Sequence, residues 1–215
     1  MLRPWIKQIT LKTNNSQPKK ERNKKMANDL VRELPFGTKV NGKKNGAFVA
    51  ITAKSKLYQY YGDPTVDSNQ VVDVCIGVHR WDGLQGLIGG FCDGDETLEQ
   101  TATREVKEEI NLDISETQLV PLATHELYRV VVHAFHVDLG YVDVKDLQKM
   151  VTQMSQAEHL IAEGTPIMIH LKTYDKWGKG LKKTLASNTL ASAVKEELEI
   201  LIAKLGIPVE FVEKE

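Results

Sequence analysis

The sequence predicts an α/β domain in which a mixed β-sheet lies between helices. Three observations point to it. Strand-like runs lie on both sides of one amphipathic helix, a second long amphipathic helix closes the chain, and no segment repeats another. Runs 47–53 and 71–79 are rich in apolar and β-branched residues, and 86–90 is a short strand leading into a helix. Thr97 with Gln100 three residues on forms a capping box, so that helix starts near Thr97 and its apolar stripe is Leu98, Ala102, Val106 and Ile110. Asn111 suits its end, because asparagine takes the left-handed conformation at low cost. Runs 119–127 and 129–139 are strand material, the second with Val130, Val131, Val132 and Phe135 as core. Helical periodicity returns over 144–157 through Val144, Leu147, Met150, Val151 and Met154. A strand over 165–171 follows, then a terminal helix over 188–205 through Leu190, Val194, Leu198, Leu201 and Leu205.

Composition bounds the class. With 215 residues, 27% charged and 41% hydrophobic, the chain suits one domain over 29–215 and a tail over 1–28. No apolar run approaches the ~20 residues that cross a bilayer. Cys75 and Cys92 are too few for a disulfide framework, so a reducing, cytoplasmic setting is expected. Residues 1–25 carry eight Lys/Arg against one acid, Glu21, leaving −8 on the remainder of a chain whose total is −1. Residues 14–25 hold no apolar side chain and are expected to be disordered. The readings open for this tail are a nuclear address, a mitochondrial presequence, an RNA-tethering arm and a passive solvated segment, with Met26 a candidate second start.

The chemistry concentrates between Gly90 and Leu112. Glu105, Glu108 and Glu109 stand at i, i+3 and i+4, on one helix face, with Glu105 and Glu109 turned partly inward. Carboxylates crowded on a half-buried face repel and lose hydration, which is costly unless a cation joins them. Hard oxygen donors of this kind suit Mg²⁺ or Mn²⁺. Gly90 offers a bare backbone to the same metal. Arg104 is expected to pair with Glu96 and to orient Glu105 rather than react.

Glycine, five residues, Glu, seven residues, Arg-Glu, an apolar residue, one residue, Glu-Glu, one residue, Gly, an apolar residue: this is the Nudix hydrolase signature. The stretch Gly90, Glu96, Arg104, Glu105, Val106, Glu108, Glu109, Leu112 resembles it at every position except the last glycine, which is Asn111. The resemblance implies an α/β/α Nudix sandwich and metal-dependent cleavage of a phosphoanhydride bond by water. The metal ligands would be Gly90, Glu105, Glu108 and Glu109, with Arg104 in the catalytic set.

Outside the signature, Arg80–Asp93, the run from Arg129 to Phe135, the Glu158-His159 pair and Ser187–Ala193 resemble the branch that decaps snoRNA and hydrolyses inosine diphosphates. That weaker likeness spans about residues 45–207. It implies nucleotide contacts from Arg80, Leu87 in the base pocket, Gly89 through its backbone, and Phe48 where the branch stacks an imidazole. Glu196 stands where the branch has a glutamine in its last helix. The general base is open between Glu109 and a later carboxylate, Glu158 or Glu163; the branch's glutamate aligns to Ala162, one short of Glu163. His159 is a candidate phosphate ligand.

Lys172, Lys176, Lys179, Lys182 and Lys183 gather before the last helix and are candidates for a phosphate chain or RNA. Tyr58, Tyr60, Tyr61, Phe135 and Tyr141 exceed what one small core takes up, and the branch is dimeric, so a homodimer is expected. The expected activity is hydrolysis of a nucleoside diphosphate or an RNA 5′ cap. The alternatives are an ADP-ribose or dinucleotide pyrophosphatase, and a non-catalytic nucleotide- or RNA-binding module.

Overall fold

The computed structural model describes residues 31–56, 71–154, 164–171, 173–174 and 179–207. Its strands are β1 (Arg32–Leu34), β2 (Lys44–Lys56), β3 (Val71–Arg80), β4 (Gln85–Gly86), β5 (Ile88–Phe91), β6 (Val120–Glu126), β7 (Val130–Tyr141), β8 (Gly164–His170), β9 (Thr173–Tyr174) and β10 (Lys179–Gly180). The helices are α1 (Leu98–Ile110), α2 (Val144–Met154), α3 (Leu181–Ala186) and α4 (Val194–Leu205).

β2 and β7 run parallel at the centre, with Val49 opposite Phe135 and Ile51 opposite Val137; the other pairings are antiparallel. Helices cover both faces, so β2 is buried on both, the reason its sequence reads as one nearly continuous apolar run. Ala47, Val49, Ile51 and Ala53 meet Ala102, Val106 and Ile110 of α1 and Leu147 of α2 in one cluster. Ala50, Cys75, Leu87 and Ile169 meet Leu181, Leu185, Leu198 and Leu201 of α3 and α4 in the other. This is the α/β/α sandwich with a mixed sheet expected from the sequence.

The far edge of β2 is shared between two partners. β3 pairs with Ile51–Lys56 and β5 with Gly46–Val49. The chain leaves β3 through a turn whose Gly83 has φ +83° and returns as β4, with Gly77 so close that a Cβ there would lie 2.6 Å from the Gly86 carbonyl oxygen. The switch delivers Gly89 and Gly90 beside Ala47 and Phe48, directly under α1.

Several expectations change. The last helix starts at Val194 rather than 188, because residues 189–191 bond to the β4 edge: Gln85 N–H donates to the Thr189 carbonyl (2.6 Å) and Ala191 N–H to the Gln85 carbonyl (2.9 Å). Ala193 then takes φ +70° to enter α4. α3 was not expected, although Leu181 and Leu185, one turn apart and both buried, are its signal. Lys182 and Lys183 therefore stand on a helix rather than in a loop. Phe135 is not leftover surface: it is 1% exposed and meets Phe36 edge-on at 5.1 Å between centroids. Tyr141, 56% exposed, is what remains of that argument within the described residues; Tyr58, Tyr60 and Tyr61 lie outside them, as do the tail and its boundary at 28. Among the described residues no helix is long and apolar enough to cross a membrane. Cys75 and Cys92 are unpaired, and burial pushes the Cys75 thiol up to about 12.

Asn111, where the signature has glycine, adopts φ 51° and ψ 31° and closes α1 with its N–H on the Lys107 carbonyl. Asparagine and glycine enter this region cheaply, whereas alanine there costs on the order of 1 kcal/mol. Chemical denaturation should show Asn111→Gly at least as stable as the parent and Asn111→Ala less stable by about that amount.

Candidate active site

α1 is held at both ends and along one side. Thr97 Oγ1 accepts from Gln100 N–H (3.1 Å), and Gln100 Oε1 accepts from Thr97 N–H (3.0 Å), completing the capping box. Ala102 and Val106 are fully buried and Ile110 nearly so, which fixes the helix rotation. The rotation turns Glu105 and Glu109 toward β5 and leaves Glu108 half exposed at 54%.

Arg104 gathers the carboxylates. Its Nε donates to Glu96 Oε1 (2.9 Å) and its Nη2 to Glu96 Oε2 (3.1 Å), a bidentate pair. Nη1 donates to Glu105 Oε1 (2.8 Å) and Glu108 Oε2 (2.9 Å), while Nη2 also reaches the Phe91 carbonyl (3.2 Å). Glu96 Oε2 accepts further from Asp93 N–H (3.1 Å) and from the Thr101 hydroxyl (3.0 Å). The Arg104 guanidinium, followed by the Asp93 amide, holds the Glu96 carboxyl down at about 2. The same pairing, led by Glu96, raises the Arg104 guanidinium further, so it is a permanent cation.

The glycines make room for the acids. A Cβ on Gly90 would fall onto the Glu105 carboxyl, 2.6 Å from its Cδ. Gly89 has φ +146°, and a Cβ there would lie 2.6 Å from Phe48 Cα. Glu109, 8% exposed, accepts from Gly89 N–H at its Oε2 (3.2 Å). Among the described residues no three His, Cys, Asp or Glu side chains converge as a ready-made metal cluster. The donor chemistry nevertheless fits a divalent ion: three carboxylates, hard oxygen donors all, stand on one face of α1 across from the bare Gly90 backbone.

The other expected site residues fare unevenly. Leu87 is 3% exposed inside the α3/α4-side core, so it backs that core rather than lining an open base pocket. Phe48 is half-buried and packs against the same side. Gly89, expected to approach the nucleotide through its backbone, donates its N–H to Glu109 Oε2. Arg80, at the end of β3, bonds Asp82 (3.0 Å) in the following turn. Glu158, His159, Ala162, Glu163, Lys172 and Lys176 lie outside the described residues, and of Lys179 the backbone alone is described. Thr101 was not anticipated, although a hydroxyl one turn into the helix after Glu96 is its signal. Lys39, Lys44 and Asn45, which line a recess of about 290 Å³ with Phe91, Asp93 and Glu96, carry no sequence signal.

A family model described as the NUDIX domain matches residues 69–158. No curated protein matches the sequence. Among solved structures, a mutT/nudix family protein from Listeria innocua is similar at TM-score 0.52 and 14% identity, covering 78% of this chain and 96% of that one. A MutT/nudix family protein from Enterococcus faecalis follows at 0.50 and 16%, covering 81% and 65%. The NUDIX domain of Shewanella oneidensis NrtR, complexed with ADP ribose, stands at 0.47 and 18%, covering 77% and 90%.

The Glu96 shift has a pH consequence. Its folded value, about 2, lies below its ordinary 4.5, so the stabilisation is present above about pH 4.5 and is lost as pH falls toward 2. In Arg104→Met the Glu96 carboxyl should titrate near its ordinary value, read by carbon NMR. An unchanged titration would show that Arg104 is not what holds the anion.

Proposed function

We propose that the chain is a Nudix pyrophosphohydrolase, a reading supported by the NUDIX-domain match over residues 69–158, that Glu105, Glu108 and Glu109 are its metal ligands, and that it cleaves the phosphoanhydride of a nucleoside diphosphate or of an RNA 5′ cap. The observation that carries the assignment is the Arg104 cluster, in which one guanidinium bonds Glu96, Glu105 and Glu108 next to a glycine whose missing Cβ leaves space for the Glu105 carboxyl.

Each side chain has a separable task. Glu96, an anion across the working pH range, anchors Arg104. Arg104 spaces Glu105 from Glu108 and so lowers their mutual repulsion. Glu109, held by the Gly89 amide, stays in place while buried. Divalent metal is general for the family, and Mg²⁺ or Mn²⁺ held by these carboxylates and the Gly90 carbonyl would offset phosphate charge and acidify the attacking water. Glu109 serves as the candidate general base within the described residues, with Glu163 the candidate on the later segment. Arg80 and Phe48 remain the candidate nucleotide contacts, and the exposed Tyr141 supports a homodimer as the assembly. Retention of every signature carboxylate argues against a non-catalytic module.

Glu108→Gln keeps the size and removes one charge. Turnover on the best substrate among inosine and guanosine diphosphates, ADP-ribose, NADH and capped RNA should fall by about a hundredfold, with Mg²⁺ or Mn²⁺ present and the melting temperature nearly unchanged. Near-parental turnover would remove Glu108 from the site. Preference for ADP-ribose or NADH would replace the substrate class while leaving the metal assignment intact.

A further inference from the structure

A strip of alternating cations and rings runs from the β6–β7 turn to the catalytic turn. Lys44 opens β2 with Val130 opposite it on β7, and Gly46 has Phe91 opposite it on β5. Side chains alternate along a strand, so Lys44, Gly46 and Phe48 share a face, and Val130 and Phe91, their cross-strand partners, share it too. Gly46 keeps the middle bare: a Cβ there would lie 2.9 Å from Phe48 Cε2 and 3.5 Å from Phe91 Cδ1. Lys44 Nζ stands 5.6 Å from the Phe91 ring centroid, and the Arg129 guanidinium 5.6 Å from that of Tyr128. Phe91 is 49% exposed and Tyr128 71%, a large aromatic surface to leave in water.

Two recesses make the strip continuous. One, of about 650 Å³, is lined by Gly42, Lys44, Phe91, Tyr128, Arg129 and Val130. The other, of about 290 Å³, shares Lys44 and Phe91 and reaches Glu96. Phe91 also gives its carbonyl to Arg104, so the strip ends at the carboxylate cluster itself. Among the described residues neither Lys44 nor Arg129 forms an ion pair, whereas the adjacent Lys43 is bound to Glu126 at 2.8 Å. Cations without an acidic partner beside exposed rings match a ligand that alternates phosphates with flat bases.

We infer that Arg129, Tyr128, Lys44 and Phe91 form a platform for single-stranded nucleic acid, leading it end-first to the carboxylate cluster. Base faces would lie on Tyr128 and Phe91, and backbone phosphates near Arg129 and Lys44. The inference relies on the hydrolase reading for the position of the strand's end alone. It would separate this chain's handling of a polynucleotide from its handling of a mononucleotide.

The test uses the full chain and a labelled eight-nucleotide RNA of mixed sequence with a 5′-hydroxyl, followed by fluorescence anisotropy at about 0.15 M salt, with a DNA octamer in parallel. The double variant Tyr128→Ala/Arg129→Ala should bind RNA, DNA or both at least tenfold more weakly, on the scale of a lost base stack and a lost phosphate contact. Arg129→Ala alone should flatten the salt dependence by about 0.7 in log–log slope per phosphate released, and Tyr128→Phe should bind within twofold of the parent. Hydrolysis of the preferred mononucleotide should be unchanged in all three. Octamer binding insensitive to the double variant overturns the platform, as does loss of binding to anionic phospholipid vesicles with octamer binding intact. If the parent hydrolyses no nucleotide but loses octamer binding in the double variant, the platform stands and the hydrolase reading falls.

Discussion

Arg104 donates to Glu96, Glu105 and Glu108 at once, and the local structure follows from the need to hold those acids so near each other. Without a cation among them, carboxylates at i, i+3 and i+4 on a half-buried face would take up protons or swing into water. The bidentate hold on Glu96 fixes the guanidinium plane, and the remaining donors then set the positions of Glu105 and Glu108. The glycine turn is tied into the same knot, because Asp93 N–H and the Thr101 hydroxyl both end on Glu96. Turn, helix start and carboxylate face form one mechanical unit.

That unit depends on the divided edge of β2. Had β3 kept β2 company along its whole length, nothing would bring Gly89 and Gly90 under α1. Gly77, whose Cβ would strike the Gly86 carbonyl, lets β4 come close enough for β5 to take over the pairing. The 189–191 strap bonds the far side of Gln85, so the terminal segment also steadies this crossing. Both apolar clusters then press on the crossing from opposite faces, one through α1 and one through α4.

The capping box, the αL end at Asn111 and the burial of Ala102, Val106 and Ile110 were legible in the sequence because each is local: a few neighbouring residues decide it. The Arg104–Glu96 pair was legible for the same reason, eight residues apart with a turn between. The beginning of α4 was not, since what stops the helix at Ala193 is a backbone bond to Gln85, more than a hundred residues earlier. Phe135 was misplaced for a comparable reason: its partner, Phe36, lies outside any periodic run. Leu87, which the branch resemblance puts in the base pocket, packs in the α4-side core between β4 and β5. Nor did any pattern announce Glu197, 2% exposed with its Oε1 3.7 Å from His125 Nδ1 and its carboxyl pushed up by burial. One residue away, Glu196 had looked the more telling position.

The carboxylate face of α1 is proposed to hold a divalent cation, with Arg104 keeping the acids spaced for it. Binding is the direct test, free of any assumption about substrate. Titration of Mn²⁺ into the full chain, with the free ion followed by electron paramagnetic resonance, should show saturable binding that weakens at least tenfold in Glu105→Gln, a variant that keeps side-chain shape and removes one ligand charge. Equal Mn²⁺ binding by parent and variant, with both folded, would contradict the account.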